Sequence, residues 1–235
     1  MKGLLTEGLL ALCGADSVIS GLLKPRLDAA AVLLDRYIDE IELFNPSRGL
    51  VKAAGREELV VKHILDSLAP LGRIARLLPD KAALTANVPP GQGPRLADAG
   101  SGAGLPGIPL AICLPGVQIS LIERMTRRAD FLRNAAAVLR LPNAGVEETE
   151  MEQAPAGRFD IVVFRAFRPL EPGILKGLFR LLVPGGHLAA YKGRREKAEA
   201  EAGGLPPESR EIHSLSVPFL NEERHIVIIK KPADP

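Results

Sequence analysis

RLADAGSGAGLPGIPLAICLPGVQISLIE, from Arg95 to Glu123, is the stretch whose reading decides the fold. Arg95 to Ala99 is a short apolar run with an acid near its end. Gly100, Gly102, Gly104 and Gly107 follow it, then the apolar helix candidate Ile108 to Cys113 and a second strand, Val117 to Ile122, that runs into Glu123. Strand, tight turn and helix in that order are a βαβ unit of a nucleotide-binding α/β sheet. Glycine suits the turn because the backbone must adopt positive φ and approach a ligand with no Cβ in the way. An acid at the end of the second strand accepts hydrogen bonds from both hydroxyls of a ribose.

Two cofactor classes satisfy this stretch. Gly102, Gly104 and Gly107 match G-x-G-x-x-G, the pattern of a dinucleotide site. The register from Asp98 reads D-x-G-x-G-x-G, however, and an acid immediately before the turn repels a pyrophosphate while it suits the ammonium of S-adenosylmethionine. S-adenosylmethionine is therefore the favoured reading, with a nicotinamide or flavin second and a turn that binds nothing third.

Working outward, 235 residues suffice for one α/β domain with an appendage. Thirty basic against 28 acidic residues give a near-neutral chain, so overall charge makes no case for nucleic acid and only local charge can. Cys13 and Cys113 have no metal-ligand spacing and read as reduced core residues, which points to the cytoplasm. The N-terminal apolar run is broken at Thr6, Glu7 and Gly8, and no stretch reaches about 18 uninterrupted apolar residues, so an amphipathic helix and no membrane span are expected.

Leu27, Ala31, Leu34, Ile38 and Ile41 recur at helical spacing after Pro25, which predicts a helix ending near Asn45-Pro46. Glu57 to Leu68 is a second helix, whose His63, Asp66 and Ser67 read as a hydrogen-bonded helix end. Val88 to Pro94 is a linker or domain edge. Arg124 to Arg140 is a helix with Met125 and Phe131 on a packed face and Arg124, Arg127, Arg128, Arg133 and Arg140 on the other, opposed only by Asp130. Such a row near a sheet edge can grip phosphates. Asn143 to Thr149 is a weak strand. Phe159 to Phe164 is a buried central strand with Arg165 at its carboxyl end, where open α/β sheets bind ligands. A helix over Leu170 to Val183, stopped by Pro184-Gly185-Gly186, a strand over His187 to Tyr191, and strands over Arg210 to Val217 and Arg224 to Lys230 complete the expected α/β fold.

HILDSL at His63 to Leu68, DAGSGAGLPGIPLAI at Asp98 to Ile112, RRADFL at Arg127 to Leu132, FRAF at Phe164 to Phe167, YKG at Tyr191 to Gly193 and ERHIVIIKK at Glu223 to Lys231 occur in order. Together they resemble the glucose-inhibited division protein B family, the bacterial small-subunit rRNA methyltransferase G family. The resemblance implies a class I S-adenosylmethionine-dependent methyltransferase, with a Rossmann-like mixed seven-stranded sheet over residues 91–235 and a helical extension over residues 1–90. It implies methyl transfer to N7 of guanine 527 in the 530 loop of 16S rRNA. The partner is then 16S rRNA or the small ribosomal subunit, with S-adenosylhomocysteine as product, no metal, and a monomeric chain. Carried across residue by residue as contacts to the cofactor, Gly100 and Leu105 fall in the cofactor loop, Glu123 at the ribose, Met151 and Glu152 near the adenine, and Arg165 at the active end of the fourth strand. Asp98, Gly102 and Gly104 join them from the glycine turn itself. The chain departs from the family pattern where PSRGLV follows Asn45, at Arg124, at Arg127 in place of a lysine, and at Phe164 in place of a serine.

Guanine N7 carries a free lone pair and attacks without losing a proton, so this chemistry has no mandatory general base. That agrees with a chain lacking an evident nucleophile–base constellation, and it makes Arg165 the candidate for positioning guanine or phosphate. A small-molecule or protein methyltransferase would want an acidic or apolar acceptor pocket, whereas the expected rim carries Arg127, Arg128, Arg168, Lys192, Arg194, Arg195 and Arg224, with Arg127, Arg128, Lys192 and Arg224 as the RNA-binding candidates. A non-catalytic or differently targeted RNA-binding protein that keeps the fold is the alternative. Phe164, Phe167 and Tyr191 are the aromatics expected near the strand ends.

Overall fold

The computed structural model describes residues 2–81, 83–85, 89, 92–165 and 170–232. Phe167, Arg168, part of the Val88 to Pro94 segment and the expected domain edge at residues 90–91 lie outside them. Among the described residues, no helix is long and apolar enough to cross a membrane.

The sheet contains β1 (Arg95–Ala99), β2 (Gln118–Ile122), β3 (Ala144–Glu147), β4 (Phe159–Arg165), β5 (Leu182–Lys192), β6 (Arg210–Leu215) and β7 (Arg224–Lys230). Their order is β3-β2-β1-β4-β5-β7-β6. The first five are parallel, and β7 enters antiparallel between β5 and β6. A dinucleotide-binding sheet continues with parallel strands in the order 3-2-1-4-5-6, so the inserted β7 removes that reading.

β4 is buried on both faces, which is why it reads as a continuous apolar run. Ile161 and Val163 join the core beneath the N-terminal helices, together with the helices Gly107–Cys113 and Thr126–Val138. Val162 and Phe164 join a second core beneath the helices Pro172–Leu181 and Arg195–Ala202. Phe159 sides with Val162 because the register shifts between Phe159 and Ile161. Strand alternation then aims Arg165, like Ile161 and Val163, toward the N-terminal helices. Tyr191 on β5 follows Ala189 to the same side.

Several element ends differ from expectation for local reasons. The first long helix starts at Leu27 after a short 3-10 turn and runs through Pro46 to Arg48. Gly49 stops it in the left-handed conformation at φ 59°, its N–H bonding the Asn45 carbonyl at 2.9 Å. The second helix is continuous over Arg56–Glu58, Leu59–Leu65 and Asp66–Leu68, but its middle piece is π-helical. The arginine-rich helix is shorter than expected, Thr126–Val138, and Met125 before it is exposed rather than packed. The Leu170 to Val183 segment also shifts: the helix spans Pro172–Leu181, and Pro184-Gly185-Gly186 lies in the bulged start of β5. Proline is tolerated there because the start of a strand need not donate to the ladder. The helix Arg195–Ala202 escaped the sequence because its buried face is only Ala198 and Ala202.

Candidate functional site at the carboxyl edge of the sheet

The turn after β1 and the carboxyl ends of β4 and β5 border a cleft of about 800 Å³, lined on one side by Gly100 to Ala103 and Leu105 and on the other by Asp66, Arg165, Tyr191 and Arg224. Gly100, Gly102 and Gly104 have φ of 69°, 60° and 87°, a conformation that only glycine adopts freely. A Cβ on Gly102 would meet open space, with the Gly100 carbonyl as its nearest neighbour at 3.8 Å. Gly104 faces inward instead, where a Cβ would lie 2.6 Å from Ile108. Tyr37 from the first long helix donates its hydroxyl hydrogen to the Ala103 carbonyl and pins the turn from behind.

Two acids sit under this turn. Glu123 is buried; its Oε2 accepts from Gly102 N and its Oε1 from Met125 N, both at 2.9 Å. Each oxygen retains a lone pair for a further donor. Asp98, 1% exposed, accepts from the Ser101 hydroxyl at 2.7 Å and Gly107 N at 2.9 Å, both through Oδ2. Its Oδ1 is buried with no partner among the described residues. Burial pushes the Asp98 carboxyl up to about 6, against the pull of Ser101, Gly107 and Arg165. The helix start presses on this carboxylate: a Cβ on Gly107 would stand 2.3 Å from Leu121 and 2.7 Å from Asp98 Oδ2. Gly107→Ala is therefore expected to destabilise the fold by about 1–3 kcal/mol, read as a drop in Tm of about 2–4 °C per kcal/mol in thermal melts.

On the opposite wall, Arg165 Nη1 donates to Asp66 Oδ2 at 3.0 Å and to the Lys62 carbonyl at 3.2 Å. Its Nη2 lies 3.2 Å from His63 Nδ1, which accepts, while His63 Nε2 donates to the Lys52 carbonyl at 3.2 Å. That pattern is the neutral Nε2–H tautomer, and burial together with the Arg165 charge lowers the His63 pKa in the same sense. Asp66 also receives Arg224 Nε at 3.1 Å, so one buried carboxylate holds arginines from β4 and β7. Tyr191 donates to the Ser67 carbonyl at 2.9 Å. Only the Ser67 hydroxyl, bonded to the His63 carbonyl at 2.6 Å, behaves as an ordinary helix-end contact. His63 and Asp66 are thus site residues, and the reading of them as a helix end is corrected.

The remaining candidates are divided. Arg128 and Lys52 line the cleft without an acidic partner among the described residues. Lys192 also lines it, but its ammonium is held by Glu201. Arg127 lies outside the lining and donates to the Ser47 carbonyl at 2.5 Å. Arg133 of the arginine row is taken up by Asp130 and Glu148. Met151 is buried against the helix Pro172–Leu181 and Glu152 is exposed, with neither in the lining.

A family model described as GidB, rRNA small subunit methyltransferase G, matches residues 31–227. The ribosomal RNA small subunit methyltransferase G of Treponema denticola is 39% identical over 254 aligned positions, covering 98% of this chain and 97% of that one. The Stenotrophomonas maltophilia protein of the same name is 40% identical over 93% of this chain and 95% of its own. Among solved structures, an S-adenosylmethionine-dependent O-methyltransferase from Thermotoga maritima superposes with a TM-score of 0.52 at 16% identity, over 85% of this chain and 72% of that one. At that identity the likeness is one of fold, that of the class I S-adenosylmethionine-dependent methyltransferases. With model and relatives alike spanning the glycine turn, the buried acids and the arginine wall, the chain belongs to the GidB family, rRNA small subunit methyltransferase G.

Proposed function

We propose that this protein transfers a methyl group from S-adenosylmethionine to N7 of guanine 527 in the 530 loop of 16S rRNA, acting in the cytoplasm as a monomer on the small ribosomal subunit or its RNA. The observation that carries the reading is that a glycine turn over two buried acids and a wall of arginines open into one cleft. An acidic floor suits the cationic donor, and a cationic wall suits the polyanionic acceptor.

S-adenosylmethionine supplies the electrophilic methyl group. In the chain, Gly100, Gly102, Gly104 and Leu105 form the cradle and Glu123 accepts from the ribose hydroxyls. Asp98 Oδ1, the buried oxygen without a partner among the described residues, takes the ammonium directly or through water. Met151 and Glu152, after the carboxyl end of β3, are assigned to the adenine side. Arg165, fixed by Asp66 and His63, positions guanine N7 in line with the donor, and such orientation supplies about 7–11 kcal/mol of the barrier reduction. Arg128 holds phosphate at the cleft, Arg224 and Lys192 flank it with their charges shared with Asp66 and Glu201, Arg127 extends that track outside it, and residues 1–90 are the extension that brings Asp66 to the site.

The Asp98 assignment has a pH signature. Its carboxyl titrates near 6 instead of 3.8, so the folded protein retains a proton that the unfolded chain has released, and ligand-free stability falls as pH rises between those values. An ammonium selects the ionised carboxylate. Affinity for S-adenosylhomocysteine is therefore expected to rise roughly tenfold from pH 5 to pH 7 and then level off. Calorimetric titration across that range checks it, and Asp98→Asn should bind weakly with a flat profile. A wild-type profile without slope would remove Asp98 from the ammonium site. For the reaction as a whole, methyl label from S-adenosylmethionine should be released from small subunits by ribonuclease; label that follows protein instead would contradict the reading.

A further inference from the structure

The cleft continues past its own rim. Glu58 and Lys62 line it on one side and on the other line a second groove of about 680 Å³, which runs between Ala54 to Glu57 and the loop joining β6 to β7. Over that groove stands Phe219, 55% exposed. Its backbone is left-handed at φ 65°, a conformation that a bulky side chain rarely adopts and that persists only where the surroundings enforce it. The loop thus holds an apolar ring in water at a conformational cost.

The other described aromatics near the strand ends are already committed. Phe164 and Tyr191, near the strand ends, are 1% and 7% exposed, and the Tyr191 hydroxyl is engaged by Ser67. Neither offers a ring face to an RNA base. Among the described aromatic residues, Phe219 alone is exposed. Its setting suits a nucleobase: Leu220 and Val61 supply an apolar floor, and the charge of Lys62 at the junction with the cleft is balanced by Glu58 and Glu222. A base needs only a flat ring to stack on, and such contacts tolerate any sequence.

We propose that Phe219 is a positioning residue that stacks on an unpaired base flanking the target guanine, with this groove as the subsite that receives that nucleotide. The inference rests on the RNA-methyltransferase reading. A stacked neighbour fixes the register of the strand crossing the Glu58–Lys62 junction, so that one guanine alone enters the cleft.

Steady-state methylation of unmodified small subunits tests it with Phe219→Ala, Phe219→Leu, Phe219→Gly and Phe219→Tyr. Ala, Leu and Gly are expected to raise KM for the subunit about tenfold, with kcat within about twofold and S-adenosylhomocysteine affinity unchanged, whereas Tyr should restore wild-type KM. Phe219→Gly relieves the left-handed backbone and should melt no lower than wild type, which separates lost stacking from lost folding. A photo-crosslinking benzoylphenylalanine at 219 should attach to rRNA beside the target guanine. If Leu serves as well as Phe, or the crosslink goes to a ribosomal protein alone, the stacking assignment is overturned. If wild type methylates the RNA and every variant matches it, this inference fails by itself; if wild type places no methyl on RNA, the reading beneath it fails.

Discussion

Arg165→Ala is expected to slow methyl transfer about 10²- to 10³-fold, the usual loss when one preorganised charged donor leaves an active site. S-adenosylhomocysteine should still bind, because the glycine turn, Asp98 and Glu123 lie on the opposite wall. The protein should also stay folded. Arg224 remains on Asp66 after the change, so the loss is confined to hydrogen bonds worth about 1.5–3 kcal/mol, against a typical domain stability of about 5–15 kcal/mol. Arg165→Lys restores charge but not the fork. A single ammonium cannot reproduce the spread of guanidinium contacts to Asp66, His63 and the Lys62 carbonyl, so activity should remain well below wild type. Single-turnover rates with saturating donor make the comparison. Undiminished turnover in Arg165→Ala would leave this arginine as a structural ion pair.

Asp66→Ala should have the larger effect on stability. Asp66 is 6% exposed and is the shared acid of Arg165 and Arg224, so its removal leaves Arg165 without an acidic partner among the described residues and Arg224 on Glu222 alone. Breaking a buried pair in this way costs about 3–5 kcal/mol. For a chain of this size that corresponds to a fall in Tm of about 6–20 °C, at 2–4 °C per kcal/mol. Methyl transfer should fall with it, even at temperatures where the variant is fully folded, because Arg165 loses the contact that aims it. Asp66→Asn keeps the shape without the charge and should fall between the two. The diagnostic result is loss of kcat in a folded sample at low temperature; a variant that melts early but turns over normally when cold would make Asp66 a structural residue only.

The fold was legible because its decisive signals are local. Positive-φ glycines after an apolar strand, an acid closing the next strand and Arg165 at the end of an apolar run all lie within a few residues of what they organise. The site was only half legible, since its second wall is assembled over long distances. Asp66 and Arg165 are 99 residues apart, and Asp66 and Arg224 are 158 apart. Nothing local to Asp66 distinguishes an acid finishing a helix from one holding two arginines; the strand parity that aims Arg165 at it emerges only once the sheet is built. Arg133 in the arginine row was illegible for the complementary reason. Charge counted along one helix cannot see that Glu148, from the segment after β3, already occupies Arg133. Likewise Lys192 reads as a free cation until the helix Arg195–Ala202 brings Glu201 against it.

The central claim is that one cleft brings a methyl donor and a single guanine of the small-subunit RNA together. The most direct measurement is incubation of the purified protein with S-adenosylmethionine and small subunits lacking the modification, followed by chain cleavage specific for 7-methylguanine and primer extension across the 16S rRNA. The account requires one new stop, at guanine 527 in the 530 loop, absent without donor and strongly reduced with Arg165→Ala. Stops at other guanines, or methyl incorporation with no 7-methylguanine at that position, would contradict it.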